Sequence, residues 1–349
     1  MKAIGNQSGA KPKAYLLCSE FAAAESSGGK VRIMQNLRML DTVYDAQLLS
    51  YGKVKGIRRR IARFFRLRKQ LSDADLCVIE EPKLIFLMLF LPVRCIYSSH
   101  NFETALRWHF LKNRRNFHAM MNFAIFAAGE FLAIRRAEAV IAISETLKKQ
   151  LRRYTRRPIF AIPPFPETDA VLPVAATDAG RNYICVGSFD WPPNLDGYRF
   201  FVTEVLPKLD ANTRHFHFVG KHNERFAPVT VNGNTVSCHG YIADLDAFYA
   251  KMQGVMVPIV SGSGIKMKLI EAIGKGLPIM TTDKGAEGLE AYGAALGAAG
   301  NATAFAERIM AVERDVEHAA AATEDVRSAL TEAAQREWQA FFAYMAERR

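Results

Sequence analysis

Short runs of apolar, often β-branched residues alternate along this chain with longer stretches in which apolar positions recur every three to four residues. The runs AYLLCS, DAQLLSYG, ADLCVIEE and RCIYSS have the length and density of buried strands, whereas GGKVRIMQNLRML and the basic stretch after Gly56 carry helical spacing. This rhythm of strand and helix predicts a mainly parallel sheet covered by helices. The longest apolar run, from Leu84 to Pro92, reaches about half of the roughly 20 residues a bilayer crossing needs, and reads as a buried helix. One long helical stretch is expected from Thr104 to Arg136. The strand AVIAIS follows, with Ser144 capping the helix ETLKKQLRRY.

Periodicity is lost through RPIFAIPPFPETDAVLPVAATDAGRN, where prolines crowd, and then restarts. NYICVGS, HFHFVG, TVSCHGY, GVMVPIV and LPIMTT read as strands, with helices from Leu195 to Leu209, near Asp244 to Met252, and over KLIEAIGKG. The expected organisation is a flexible tail at 1–12, a first α/β domain at 13–165, a linker at 166–180, a second α/β domain at 181–325, and a helix at 326–349. The aromatic face of that last helix, Trp338, Phe341, Phe342 and Met345, needs a surface to dock on, and the N-terminal domain is the expected one.

Composition adds bounds to this picture. The 349 residues, half of them apolar, suffice for two substantial cores. Five cysteines are scattered through apolar runs with no CxxC pair, which points to buried, reduced thiols in a cytoplasmic protein and away from zinc. The net charge of +11 is uneven: up to Ala170 there are 29 Lys and Arg against 14 Asp and Glu, and beyond it 17 against 21. The first half is therefore expected to meet something anionic. In VKGIRRRIARFFRLRKQL, Arg58, Arg59, Arg63, Phe64 and Arg66 make a basic-aromatic helix suited to anionic lipid headgroups. RWHFLKNRRNFH repeats the mixture; the alternative is a core-packed helix with a solvated charged face. The pI of about 9.4 raises nucleic-acid binding, but no nucleic-acid motif accompanies it.

The candidate chemistry lies in SGSGIKMKLIE, Ser261 to Glu271. A buried strand delivers the chain into a glycine turn just before a helix, the arrangement in which free N–H groups at a helix N-terminus receive phosphate. Gly262 and Gly264 permit close backbone approach, with Ser263 between them and Ile265 beyond. Lys266 places a cation in the first turn. Lys268 and Glu271, three residues apart, share a helical face. A carboxylate such as Glu271 can accept two hydroxyl hydrogen bonds, which is what a ribose diol offers.

The run from Gly254 to Glu290, GVMVPIVSGSGIKMKLIEAIGKGLPIMTTDKGAEGLE, resembles the donor-binding region of retaining glycosyltransferases of the family-4 type with the GT-B fold, and in particular their bacterial cell-surface polysaccharide branch. GSFDWPPNLDGYRFFVTEVLPKL is similar to the opening of that branch's C-terminal domain. SSGGKVRIMQNLRML, YSSHNFE and AEAVIAISE resemble its N-terminal elements more loosely, so the likeness covers most of Lys13 to Glu290.

The resemblance implies two Rossmann-like domains facing across a cleft, with the C-terminal helix crossing back to the first. It implies transfer of a sugar from a nucleotide-sugar to a hydroxyl of a glycan or lipid-linked acceptor, with retention, without an obligatory metal, and with no cofactor beyond the nucleoside-diphosphate sugar substrate. The implied location is peripheral, at the cytoplasmic face of the plasma membrane. Glu271 falls on the family's ribose-binding glutamate, and Ser263 on the first glutamate of its E-x7-E motif, whose charge a hydroxyl does not supply. The family's cation pair after the first strand of the second domain is missing from GSFDWPPN, and Lys266, with Lys268, is the expected replacement. Gly187, Gly285 and Ala286 line the donor loops, and Tyr241 either stacks on the base or belongs to the core. His100 takes a catalytic role beside the sugar, while Gly28, Gly29 and Asn101 approach phosphate or acceptor. Glu130 is either a site residue or an interior hydrogen-bond partner. An epimerase on the same scaffold and a catalytically silent homologue acting as a partner protein are the competing readings.

Overall fold

Parallel strands cannot be joined by tight turns, so each apolar run must be followed by a crossover, and the chain folds as the alternation requires. A computed structural model describes residues 11–19, 28–52, 56–114, 116–166, 171–172 and 181–348. It divides into two units, residues 1–163 with 335–349, and 164–334.

In the first unit β1 (Lys13–Cys18), α1 (Gly28–Asp41), β2 (Asp45–Ser50), α2 (Ile57–Ser72), β3 (Leu76–Ile79), α3 (Ile85–Met88), β4 (Arg94–Ser99), α4 (Glu103–Arg114), α5 (Phe117–Arg136), β5 (Ala139–Ala142), α6 (Glu145–Leu151) and β6 (Ile159–Ala161) follow one another. The sheet is wholly parallel in the order β2-β1-β3-β4-β5-β6. The step from β1 to β2 runs opposite to all later steps. Right-handed crossovers therefore put α1 on one face and α2, α3 and α5 on the other. On the α1 face, Ile33 and Leu40 pack with Leu16 and Cys18 and with Trp338, Phe341 and Met345. On the opposite side α2, α3 and α5 bury Leu67, Leu71, Ile85, Met88, Phe126 and Ile134.

The second unit contains β7 (Arg181–Val186), α7 (Pro192–Phe200), β8 (Arg214–Val219), β9 (Val229–Val231), β10 (Asn234–Cys238), α8 (Leu245–Tyr249), β11 (Gly254–Val257), α9 (Met267–Lys275), β12 (Ile279–Thr282), β13 (Ala298–Ala299), α10 (Ala302–Arg314) and the start of α11 (Val316–Ala346). Its sheet runs β13-β12-β11-β7-β8-β10-β9, with only β9 antiparallel. Period-two alternation splits the strands between two cores: Tyr183, Cys185 and Met256 meet Phe201 and Phe305 on one face, while Ile184, Val255 and Val257 meet Leu269 and Ile273 on the other.

Several elements differ from the sequence expectation, each for a local reason. The apolar run at Leu84 yields only the four-residue α3, and Phe90 beyond it stands 95% exposed with φ 66°. The expected helix from Thr104 to Arg136 is two helices, because the Asn116 side chain accepts the Ala119 N–H and starts α5 afresh. The helix expected at Leu195 to Leu209 starts at Pro192, widens to π geometry over Phe201–Val205 and tightens over Leu206–Lys208. Pro207 explains the change, since it lacks an N–H for the carbonyl four residues back. The β9–β10 hairpin was missed, although Asn232-Gly233, with φ 51° and 77°, is a strong two-residue turn signal.

The last helix begins at Val316 rather than 326 and runs for 31 residues. Val326 and Leu330 belong to the second unit's core, Trp338, Phe341 and Met345 to the first's. Glu337 Oε2 accepts the Ala161 N–H at 3.0 Å, and Arg94, paired with Glu138 at 2.8 Å through two nitrogens, reaches the Met345 carbonyl. Phe341 is fully buried, edge-on to Phe160 and Trp338 at 5.5 Å each. Phe341→Ala is expected to cost about 3–5 kcal/mol, read as a lower urea midpoint for the first unit, with exposed Gln339→Ala nearly neutral.

Candidate functional site

Strand-end loops of the second unit carry the glycine-turn segment. β11 leads through Ile259 into Ser261, whose hydroxyl donates to Asp196 Oδ2 at 2.7 Å. Gly262 and Gly264 both have positive φ, 90° and 78°, and Ser263 lies exposed at the tip between them. Ile265 packs toward the core behind the turn, against Gly288. α9 then opens at Lys266 without a side-chain cap, which leaves first-turn N–H groups for a ligand.

The two lysines are arranged differently from the sequence expectation. Lys266 donates to the Gly264 carbonyl and pairs with Glu287 at 3.0 Å, and Glu287 also holds Lys284 at 3.0 Å. Its charge is thus already answered. Lys268 instead reaches the β7 loop: its Nζ donates to Asn194 Oδ1 at 2.5 Å and lies 2.7 Å from where a Cβ on Gly187 would stand. Asn194 is itself fixed by donating to the Ser188 carbonyl at 2.6 Å. Lys268 therefore places an ammonium against GSFDWPPN, a loop without a cation of its own, from a helix 81 positions downstream of Gly187. Burial lowers the pKa of both lysines; at Lys266 the neighbouring Glu287 opposes the fall.

Glu271 is one turn further along α9. Its carboxylate is open to solvent and makes no hydrogen bond or ion pair among the described residues. Crowding by surrounding protein raises its pKa, opposed by Lys275 and Lys268. In the next loop the Gly285 N–H donates to Thr282 Oγ1 at 2.8 Å, and Ala286 is buried, so this loop backs the site as a packed wall. Tyr241 is 73% exposed, which removes the core alternative.

In the first unit, His100 follows β4 and hydrogen-bonds through Nε2 to the buried carboxylate of Glu80, which follows β3. Asn36 of α1 donates to Glu80 Oε1 at 3.0 Å and to Ser98 at 3.2 Å. Arg32, also on α1 and 1% exposed, donates to the Ile162 and Pro163 carbonyls; burial pushes its pKa down to about 10, with Glu80 opposing. Sequence reading missed Glu80, Asn36, Arg32 and Asn194. The signal for Glu80 was present as the acidic pair closing DLCVIEE. The Asn101 carbonyl accepts from Ser99 Oγ at 2.9 Å. Gly28 and Gly29 open α1 rather than forming a loop, and residues 20–27 of the expected glycine loop lie outside the described residues. Glu130 is interior: it accepts from Tyr97, from the Glu103 and Thr104 N–H groups and from the Thr104 hydroxyl, capping α4.

Of the basic helix, Arg58, Arg59 and Arg66 are exposed. Arg63 turns inward to the Ser50 and Tyr51 carbonyls, and Phe64 is half-buried beneath Arg68, so these two serve packing. The cysteines are free; Cys18, Cys77, Cys95 and Cys185 are buried, with burial raising their pKa values, Cys18 to about 11.

Comparisons with known proteins agree with this architecture. A model described as "Glycosyl transferases group 1" matches residues 180–315, and one described as "Glycosyltransferase Family 4" matches residues 20–170. No curated protein matches the chain in sequence. Among solved structures, Anabaena HepE in complex with UDP and glucose superposes with a TM-score of 0.65 at 11% identity, covering 96% of this chain and 100% of HepE. A glycosyltransferase from Rickettsia africae gives 0.64 at 11%, covering 97% and 98%. TarM of S. aureus gives 0.57 at 16%, covering 81% of this chain and 58% of TarM. With a glycosyltransferase model on each unit and this two-domain architecture, the chain is a group 1 type glycosyltransferase of the GT-B fold.

Proposed function

We propose that the chain moves a sugar from a UDP-sugar to a hydroxyl of a glycan or lipid-linked acceptor in bacterial cell-surface polysaccharide synthesis, with retained configuration and no obligatory metal. The observation that carries this reading is the pair of charges on α9: an unpartnered carboxylate at Glu271, and an ammonium at Lys268 whose hydrogen-bond partner is a neutral amide. A ribose diol satisfies the first and a diphosphate the second. The UDP in the HepE complexes, and in a TarM complex that also holds α-GlcNAc-glycerol, supports UDP as the nucleotide.

The acceptor oxygen attacks the anomeric carbon while the bond from that carbon to the diphosphate oxygen breaks, the electron pair leaving with the nucleotide. The acceptor proton passes to a diphosphate oxygen. Lys268, backed by Lys266 and the free N–H groups opening α9, stabilises the departing charge. Within the first unit, His100 is held by Glu80 at the neighbouring strand end, and Glu80 acts as its positioning residue. The enzyme works at the inner face of the plasma membrane, where exposed Arg58, Arg59 and Arg66 meet anionic headgroups. The exposed Ser263, in place of a glutamate, favours a second reading, a silent homologue that binds nucleotide without turning it over.

Incubation with a panel of nucleotide-sugars and a lipid extract is expected to give transfer from one UDP-sugar, an anomeric proton coupling that matches the donor's configuration, and activity preserved in EDTA. No turnover of any donor selects the silent reading, and loss in EDTA restored by Mn²⁺ overturns the metal-free step. Glu271→Ala is expected to weaken UDP binding by about 1–3 kcal/mol through lost ribose contacts; calorimetry showing unchanged affinity removes Glu271 from the site. Binding needs ionised Glu271 and protonated Lys268. Because the first pKa is raised and the second lowered, affinity should fall on acidification from above the usual carboxylate range, and on alkalinisation from below the usual lysine range. Glu271→Gln should lose the first limb beyond what the diphosphate's own titration produces, and Lys268→Met the second, in UDP affinity measured across pH.

A further inference from the structure

Nine of the fifteen large hydrophobic side chains left exposed among the described residues lie on α2, α4, α5 and the turn after α3. Most belong to α5. Phe126, Gly129, Glu130, Ala133 and Ile134 form its buried stripe, yet Phe117, Met120, Met121, Ile125 and Phe131 are exposed, with Phe117 at 71% and Phe131 at 54%. At 100° per residue Phe117, Met121 and Phe131 project within one sector, separated only by alanines. α5 is thus apolar on two sides and covered on one. It is long and apolar enough to cross a membrane, but only 28% of its most apolar window is buried, and Glu130 ties it to α4 by three hydrogen bonds and to β4 by one. Such a helix lies on a membrane rather than through it.

We propose that the outer face of α5, continued by Phe90 and Phe65, inserts into the headgroup boundary of an anionic lipid membrane and seats the enzyme there; the inference rests on the lipid-linked acceptor reading above. Charge selects the occupant. α2 contains no acidic residue, and the single acid of α5, Glu130, faces inward. Cations frame the apolar face: Arg135 stacks on Phe131 at 4.1 Å, and Lys112 lies over Trp108 at 5.3 Å. Aromatic rings paired with cations at the edge of an apolar stripe suit a boundary where acyl chains give way to phosphate. A second copy would bring the same positive charge to the contact and be repelled. α2, α3 and α5 share one side of the sheet, and Arg68 and Arg136 bind backbone carbonyls on either side of Phe90, which ties the turn carrying Phe90 to α2 and to the end of α5. A cavity of about 580 Å³ between Trp108 and Phe117 opens on that surface, with room for part of an acyl chain.

The full chain is floated with phosphatidylcholine vesicles with and without phosphatidylglycerol, as wild type, Met121→Asp/Phe131→Asp and the milder Met121→Ser/Phe131→Ser. Wild type is expected to float with the anionic vesicles, and the aspartate pair to lower the bound fraction by about tenfold while circular dichroism and UDP affinity hold, with the serine pair in between. Equal flotation of all three, or none of wild type, overturns the proposal. So does a wild-type dimer that the variants disperse in light scattering, which would assign the face to a second copy. If wild type fails to float yet glycosylates a detergent-solubilised lipid extract, the docking surface falls and the acceptor reading stands. Flotation without any lipid product leaves the surface and removes the acceptor.

Discussion

Parallel strand pairing is the constraint on which everything else in each unit depends. It forbids hairpins between neighbours, forces a crossover after each strand, and brings the carboxyl ends of the strands to one edge of the sheet. Residues that look unrelated in sequence are thereby collected. Glu80 and His100 are twenty positions apart, but they end adjacent strands β3 and β4. Gly187 and Lys268 are far apart in sequence, but they follow β7 and β11, which pair directly. The antiparallel β9 at the sheet's edge does not disturb this, because its hairpin lies beyond β10, at the far side from β11.

Within the second unit, the electrostatics differentiate two lysines two residues apart. Lys266 is partnered by a carboxylate and makes the turn rigid by also binding its own loop carbonyl. Lys268 has given up solvent for a neutral amide and an empty glycine face, a position that is costly for an ammonium on its own and favourable once an anion arrives. Glu271 differs, since it stays exposed and has no hydrogen bond or ion pair among the described residues. Of the two lysines, Lys268 therefore has the less compensated charge.

Much of this was legible in the sequence because strand and helix periods differ and buried parallel strands read as apolar runs. The Ser144 cap was visible, and its hydroxyl does accept the Leu147 N–H. The glycine turn was visible because it separates a strand from a helix. What escaped reading depended on distance in three dimensions. No spacing rule reveals that Lys268 extends to Gly187, or that Asn36 and His100 converge on one carboxylate. The break at Asn116 and the widening before Pro207 were local and could have been read, but each lay inside a longer helical pattern that dominated it. Exposure escaped as well: α5 looks like a core helix in sequence, and only packing shows that one of its apolar sides is uncovered.

The 31-residue α11 gives the first unit its last core residues from the far end of the chain. During synthesis the six strands of that unit are complete by Ala161, but Trp338 and Phe341 are not yet made. At about 5–20 residues per second, roughly 10–35 s separate the two events. Through that interval the nascent α1 face of the sheet has a vacancy the size of two aromatic rings. A ribosome that stalls within the second unit therefore leaves a first domain that is paired but unsealed, the kind of surface chaperones hold and proteases find. The order in which the chain is made thus delays closure of the first domain until the second has been translated.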